Sequence, residues 1–200
     1  MRILIVSDEE SASLWDHFTP GKIDGVDLIL SAGDLKPDYL SFLVTMANRP
    51  LLYVHGNHDG IYSERPPEGC ECIDGRLVNI NGLRILGLGG SVRYNGGPHQ
   101  YTEAEMTRRI FRLRPAIFKA GGVDIILTHS PVRGYGDMDD AAHRGFECFL
   151  PLIKRYSPMY LIHGHVHKRY TPGLSREQRY FNTSVINANG TYYLNIPDKE

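Results

Sequence analysis

The chain has 200 residues, of which 42% are hydrophobic, which is enough to bury the core of one α/β domain. Its 22 Lys and Arg residues nearly balance its 23 Asp and Glu residues, and a net charge of -1 argues against a long nucleic acid as partner and gives no sign of binding to an acidic membrane. We expect a cytoplasmic protein, because its three cysteines (Cys70, Cys72, Cys148) form no disulfide framework and it contains neither a signal peptide nor a membrane-spanning run.

The first part of the chain alternates apolar runs with helical segments. Strands are predicted at residues 2–6, 27–31 and 51–55, where aliphatic side chains cluster. Helices are predicted between them at residues 11–18 and 37–47, and the second opens with proline, as helices often do. This alternation predicts a parallel sheet that is buried on both faces.

The rest of the chain mixes hairpins, a glycine-rich loop and further helices. Asn81-Gly82 favours a type I′ turn between two strands. The remaining predicted elements are strands at 76–80 and 83–88, a loop at 87–97, a helix at 102–113, a strand at 123–127, a helix at 141–156, and strands at 159–162, 179–181, 184–186 and 191–195. Because no repeat, low-complexity tract or linker interrupts this pattern, we expect a single domain covering residues 1–200.

Five of the predicted strands run directly into side chains that could bind a metal ion. Any one aspartate there is usually a turn or cap residue, and any one histidine is usually structural. Parallel strands, however, bring their carboxyl ends to one edge of a sheet, so five such ends together favour a metal site. Carboxylate, amide oxygen and imidazole suit Mn, Fe, Zn or Ni. The side chains are Asp8, Asp34, Asn57, His129, His165 and His167.

These strand ends resemble the motifs of a known family. The segments that carry the resemblance are Asp8, Gly33-Asp34, Gly56-Asn57-His58-Asp59, Thr128-His129 and Gly164-His165-Val166-His167. In order and spacing they are similar to the five motifs of the calcineurin-like metallophosphoesterase superfamily. The resemblance implies a four-layer α/β/β/α sandwich of two mixed sheets flanked by helices.

The resemblance also implies two divalent cations, for which we expect Mn²⁺, with Fe, Zn and Ni as alternatives. Carried over position by position, it assigns Asp8 and His167 to the first ion, Asn57, His129 and His165 to the second, and Asp34 to a bridge between them. His58 would be catalytic, either by stabilising phosphoryl charge or by protonating the leaving oxygen. Asp59 would support His58 without contacting the metal ions or the substrate itself.

Glu10 is the one departure from the family pattern, since the first motif normally reads Asp-x-His. Glu10 could bind the first ion through a carboxylate oxygen, which would favour a hard ion such as Mn²⁺. Alternatively, the first site could be weak and fill only at high metal concentration. Glu10 could also be an ordinary residue at a helix N-terminus.

The activity implied is hydrolysis of a phosphate ester by a hydroxide that the two cations activate, without a covalent enzyme intermediate. We expect a small phosphodiester as the substrate, with phosphomonoesters as an alternative, and the sequence indicates no oligomeric state. Arg93 and Tyr94, in the glycine-rich loop, and His143 are the candidate substrate contacts. For Arg93 a plain surface position fits equally well, and for His143 a solvated loop position does.

Two further interpretations concern the other histidines and a rival function. His55 and His163 precede motif glycines and are predicted to be packed or hydrogen-bonded supports rather than metal ligands, whereas His17 and His99 carry no pattern. A protein-binding scaffold of the same fold, weakened in catalysis, is the alternative that the altered Glu10 leaves open. The retained His58 favours the enzyme.

Overall fold

Three α-helices and thirteen strands make up the regular structure in a computed structural model that describes residues 1–167, 169, 173 and 175–197. The strands are β1 (Arg2–Ser7), β2 (Leu28–Ser31), β3 (Leu51–Tyr53), β4 (Glu71–Cys72), β5 (Leu77–Ile80), β6 (Leu83–Leu88), β7 (Ser91–Val92), β8 (Gln100–Tyr101), β9 (Ile125–Thr128), β10 (Tyr160–His163), β11 (Glu177–Tyr180), β12 (Thr183–Asn187) and β13 (Gly190–Asn195). The helices are α1 (Pro37–Ala47), α2 (Glu103–Lys119) and α3 (Phe149–Tyr156).

Two large mixed sheets contain most of these strands. The first has the order β13-β1-β2-β3-β4, and β1 to β4 run parallel while β13 runs antiparallel to β1. The second has the order β11-β12-β10-β9-β6-β5, in which the four inner strands run parallel and both edge strands run antiparallel to their neighbours. The parallel sheet predicted from the first three strands is therefore confirmed.

The buried side chains sort into layers by strand alternation. Along β1, Ile3 and Ile5 join the cluster between the two sheets, whereas Leu4 packs with side chains of α1. In the second sheet, Leu127 lies in the same central cluster, whereas Ile126 packs with apolar side chains of α2 and α3. Helices thus cover the outer face of each sheet, and the four-layer α/β/β/α sandwich is confirmed.

Local sequence signals are confirmed at the hairpin and at the start of α2. Asn81 and Gly82 both have positive φ, 50° and 83°, as a type I′ turn between β5 and β6 requires. Thr102 and Glu105 form a reciprocal capping box. At both places the local conformation that the sequence predicts is the one found in the fold.

Three predicted helix boundaries differ from the structure. The helix predicted at 102–113 continues to Lys119 through Pro115, because the burial of Ile117 beyond the proline offsets the lost backbone hydrogen bond. Within the segment predicted as a helix at 11–18, only a short 3-10 helix forms, Ala12–Leu14, and Trp15 packs edge-to-face on Phe42. Tertiary packing decided both outcomes.

The third difference lies in the segment predicted as a helix at 141–156, where only α3 (Phe149–Tyr156) is helical. The residues before it form a loop that Asp137 organises by accepting hydrogen bonds from the Gly134 and Gly145 amides. No described helix is long and apolar enough to cross a membrane. The three cysteines, all described, are free thiols.

Candidate metal centre

The predicted ligands follow the carboxyl ends of strands from both sheets, and the structure brings them to one place. Asp34, His129 and His165 each offer a ligand atom, and these atoms lie within 4.8 Å of one another. Asn57 joins them through its side-chain oxygen, which lies 3.1 Å from His129 Nε2. Asp8 accepts the His165 backbone N–H at 2.9 Å. Strands of the two sheets therefore end at a shared cluster of donor atoms.

His129 is fully buried at the middle of this cluster, and its hydrogen bonds define its orientation. Its Nδ1 lies 2.7 Å from the Ala32 carbonyl, which can only accept, so Nδ1 carries a proton. Its Nε2 faces Asn57 Oδ1 at 3.1 Å and Asp34 Oδ2 at 3.3 Å. If the imidazole is neutral, Nε2 and the two oxygens each present a lone pair to the others. Because lone pairs repel one another, this arrangement is stable only with a positive charge between them.

The pKa values of His129 and Asp34 also indicate that a positive charge is favoured between these side chains. Burial lowers the pKa of His129, but the charge and hydrogen bond of Asp34 outweigh burial and raise this pKa to about 9. Burial likewise raises the pKa of Asp34, but the His129 charge and hydrogen bonds hold it well below its usual range. Both shifts show that these atoms favour a positive charge between them, and a divalent cation could supply that charge. The donor set fits such an ion.

The surroundings of His165 suit a metal ligand. Its Nε2 donates a hydrogen bond to the Ala142 carbonyl at 2.6 Å, which leaves Nδ1 as the atom with a lone pair. Burial lowers the pKa of His165 to about 3, so the ring is neutral at ordinary pH. Metal ligation requires neutral imidazole, and the carbonyl partner fixes the tautomer and the ring orientation.

The backbone around the ligands is held in uncommon conformations. Asp8, Asp34 and His165 have positive φ values of 62°, 58° and 68°, in the left-handed region that non-glycine residues rarely adopt. A Cβ on Gly56 would lie 2.0 Å from Asp34 Oδ1, and a Cβ on Gly164 would lie 1.9 Å from the Ser7 hydroxyl. Such conformations and close approaches cluster at functional sites, where surrounding contacts maintain them.

Asp59 and His58 have different positions relative to this cluster. Asp59 is buried, and its Oδ2 accepts the backbone N–H groups of Asp34 at 2.9 Å and Gly56 at 2.7 Å. Asp59 therefore orders two ligand loops, a contact that differs from the expected support of the His58 ring. The His58 backbone N–H donates to Asp34 Oδ1 at 2.8 Å, and its exposed side chain lines a cavity of about 440 Å³ beside Asp8 and Asp34.

The first predicted ion site has a more acidic surrounding than the sequence motifs indicated. His167 Nδ1 contacts Glu9 Oε1 at 2.8 Å, and this hydrogen bond is the main cause of a lowered pKa of Glu9. Glu10 lines the same cavity as His58, and its Oε2 lies 3.1 Å from the ammonium of Lys36. Glu9 was not among the predicted site residues, although its place directly after Asp8 was a signal that could have identified it.

The predicted substrate residues are placed unequally. The Tyr94 hydroxyl accepts a hydrogen bond from Asn57 Nδ2 at 3.3 Å, so Tyr94 borders the cluster. The His143 ring lies 5.4 Å from the His165 ring, centroid to centroid. Arg93, by contrast, forms an ion pair with Glu105 on α2, at 2.9 Å. The structure thus brings two of the three side chains to the centre.

Of the two predicted supporting histidines, His163 is buried and His55 is partly exposed, and both form hydrogen bonds. His163 is buried, donates from Nδ1 to the Gly164 carbonyl at 2.9 Å, and has its pKa lowered by burial to about 4. His55 contacts Asp74 Oδ2 through its Nδ1, at 3.3 Å. Neither ring is among the donor atoms around His129.

Comparison with known proteins identifies a family. A family model described as calcineurin-like phosphoesterase matches residues 1–169. A curated relative, UPF0046 protein T07D4.2 of Caenorhabditis elegans, is 25% identical over 119 residues, a match that spans 58% of this chain and only 29% of that protein.

Solved structures share the fold at low sequence identity. One crystal structure aligns with a TM-score of 0.66 and 14% identity over 96% of this chain and 94% of its own. The crystal structure of TT1561 from Thermus thermophilus aligns with a TM-score of 0.63 and 16% identity over 94% of this chain and 89% of its own. These likenesses concern the fold, and the family resemblance that the motifs predicted is confirmed by the family model.

Substitution of Gly56 tests the close packing of the ligand loops. We expect Gly56→Ala to weaken Mn²⁺ binding by about 10- to 100-fold, because the new Cβ would displace the Asp34 carboxylate. The matched control is Gly60→Ala, whose Cβ would meet only Pro98 side-chain atoms, at 3.2 Å and beyond. Calorimetric titration with Mn²⁺ measures both, and equal affinities for the two variants would contradict the expectation.

Proposed function

Because the chain belongs to the calcineurin-like phosphoesterase family, we propose that it is a metal-dependent enzyme that hydrolyses a small phosphodiester. The family supports metal-dependent hydrolysis of phosphate esters in general. The observation that carries the proposal for this chain is the convergence of Asn57 Oδ1 and Asp34 Oδ2 on buried His129 Nε2, at 3.1 and 3.3 Å. Such a set of acceptors is matched by a divalent cation.

Two divalent cations, with Mn²⁺ as the proposed metal, would divide the ligands as the motifs suggest. The second ion would be held by Asn57, His129 and His165, the first by Asp8 and His167, and Asp34 would bridge them. When bound, such ions neutralise phosphate charge and lower the pKa of a coordinated water. The contacts of Asp34 Oδ2 with His129 Nε2, at 3.3 Å, and of Asp8 Oδ1 with the His165 backbone N–H, at 2.9 Å, support this division.

His58 is proposed to act on the substrate. Its backbone is fixed by the hydrogen bond to Asp34, while its side chain is exposed in the cavity that Asp8 and Asp34 also line. A side chain so placed can donate a proton to the leaving oxygen as the phosphorus–oxygen bond breaks. Tyr94 and His143 are proposed to orient the ester from the two sides of the centre.

The carboxylates around the cavities favour a diester over a monoester. A diester carries one negative charge at neutral pH, whereas a monoester carries up to two. Glu9 and Glu10 add carboxylates beside the ligands, Lys36 is paired with Glu10, and Arg93 is paired with Glu105. These acidic groups would disfavour the second negative charge of a monoester. Arg169 and Arg176, which line the cavity beside Asp8, Glu9 and His167, would act in the opposite sense.

Residues 1–200 are proposed to act as one domain. The ligands come from both sheets, so neither sheet alone would form the centre. We also propose that the protein works in the cytoplasm, in keeping with its three free thiols. The catalytically weakened scaffold is disfavoured because the motif residues other than Glu10 match the family pattern.

A substrate screen tests the activity. We expect the Mn²⁺-loaded protein to hydrolyse bis-p-nitrophenyl phosphate faster than p-nitrophenyl phosphate, as measured by p-nitrophenolate release. Asp34→Asn is the control, since it removes the proposed bridging charge and should abolish both activities. Absence of turnover with Mn²⁺, Fe²⁺, Zn²⁺ and Ni²⁺ would favour the scaffold, and a preference for the monoester would refute the diester proposal.

The role of His58 is tested by its removal. We expect His58→Ala to lower kcat by about 10²- to 10⁴-fold while Mn²⁺ binding is retained, because the proposed role is proton transfer and not ligation. His17→Ala, another exposed histidine, is the matched control and should keep full activity. Metal content and kcat are measured together, and an unchanged kcat in His58→Ala would remove His58 from the mechanism.

The two adjacent glutamates should respond differently to substitution. We expect Glu9→Gln to weaken the first ion by about 10-fold, because Glu9 holds the proposed ligand His167. We expect Glu10→His, which restores the family residue, to change the metal preference of that site if Glu10 binds the ion directly. Metal content after dialysis against mixed Mn²⁺ and Zn²⁺ measures both, and a Glu10→His protein with unchanged count and preference would show that Glu10 is not a ligand.

A further inference from the structure

We propose that the chain carries a separate zinc-type site formed by His55, Cys72, Asp74 and His99. Atoms of His55, Asp74 and His99 that can bind a metal lie within 4.8 Å of one another. Cys72 adjoins them, with its Sγ 3.9 Å from His55 Nδ1. None of these four residues is among the ligands proposed for the phosphoesterase centre.

Two distances within the group lie near the edges of a tetrahedral site. His55 Nδ1 lies 3.3 Å from Asp74 Oδ2 and 3.9 Å from Cys72 Sγ. Zinc bonds of about 2.0–2.1 Å to nitrogen or oxygen and about 2.3 Å to sulfur imply edges of about 3.3 and 3.6 Å, respectively. One thiolate, two imidazoles and one carboxylate are also a donor set that suits Zn²⁺.

The carboxylate of Asp74 is held in the way that metal-bound carboxylates are. Its Oδ1 accepts the Gly89 backbone N–H at 2.7 Å and the guanidinium of Arg109, so Oδ2 is the oxygen turned towards His55. Arg109 also donates to the Gly89 carbonyl, at 2.8 Å, which fixes the loop beside the carboxylate. Hydrogen bonds of this kind orient metal ligands and tune their affinity.

The thiol lies beside the proposed ion position, and the second imidazole would reach it by rotating out of its stack on His55. Burial alone would raise the pKa of Cys72, but hydrogen bonds from His55 and from the Asp74 backbone outweigh it and lower this pKa, which favours thiolate. The His99 ring lies parallel to the His55 ring, with centroids 4.3 Å apart. Rotation about the soft Cβ–Cγ bond of His99 would turn a ring nitrogen towards the ion.

An ion at this position would tie three parts of the fold together. Cys72 belongs to edge strand β4, His55 lies between β3 and Asn57, and His99 lies in the loop that also carries Tyr94. The site would therefore fix the Tyr94 loop against the segment that supplies a ligand and His58 to the phosphoesterase centre. It would act as a structural link with no part in the chemistry.

Cobalt titration of the full chain tests the site, because the phosphoesterase centre is proposed to contain no thiolate. We expect Co²⁺ to produce a near-ultraviolet thiolate-to-cobalt absorption that saturates at one equivalent of thiolate-bound ion. Cys72→Ser should abolish this absorption, and His99→Ala should weaken Co²⁺ binding at this site by about 10-fold or more. Cys148→Ser and Cys70→Ser are matched controls and should leave it unchanged.

The outcomes separate this site from the phosphoesterase centre. In Asp34→Asn protein the thiolate absorption should persist while hydrolysis is lost, so failure of either proposal leaves the other standing. Wild-type protein without the absorption, or an absorption that survives Cys72→Ser, would overturn the zinc-type site. If Cys72→Ser does not fold, as judged by circular dichroism, an unchanged Co²⁺ affinity in His99→Ala would overturn it.

Discussion

The buried contact between Asp34 and His129 is the interaction on which the site depends. It joins a loop of the first sheet to a strand end of the second, deep enough that both charges must be compensated. An unpaired charge buried at this depth would cost several kcal/mol. The contact between Asp34 and His129 is therefore maintained only while the two sheets keep their relative position. The packing of the core between the sheets and the geometry of the site at the strand ends thus depend on each other.

Backbone strain around this pair is compensated by polar contacts. The left-handed conformations of Asp8 and Asp34 each cost of order 1 kcal/mol, and they persist because neighbouring groups maintain them. Asp59 holds the Asp34 amide, and Asp8 holds the His165 amide. Packing of the loops thus converts separate strand ends into one rigid set of donors, the preorganisation that charge stabilisation requires.

Two carboxylates outside the motifs lie beside the proposed first ion site. Glu9 and Glu10 make the proposed first ion site more acidic than a motif with histidine would be, and engaged cations such as Lys36 do little to offset this. Under the proposed function, these carboxylates would favour a hard ion at that site. The contact between His55 and Asp74 lies beside the segment that carries Asn57, whose amide in turn donates to Tyr94.

The sequence by itself determined the parallel strands of the first sheet, the hairpin turn at Asn81 and the identity of the ligand candidates, because strand periodicity, turn chemistry and motif spacing are local properties. The tertiary structure decided what depends on distant partners. In the folded chain, Asp59 accepts hydrogen bonds from two backbone amides and Arg93 forms an ion pair with Glu105. Glu9 forms a hydrogen bond with His167. Such contacts join residues far apart in the chain or depend on how loops pack, so no local pattern encodes them.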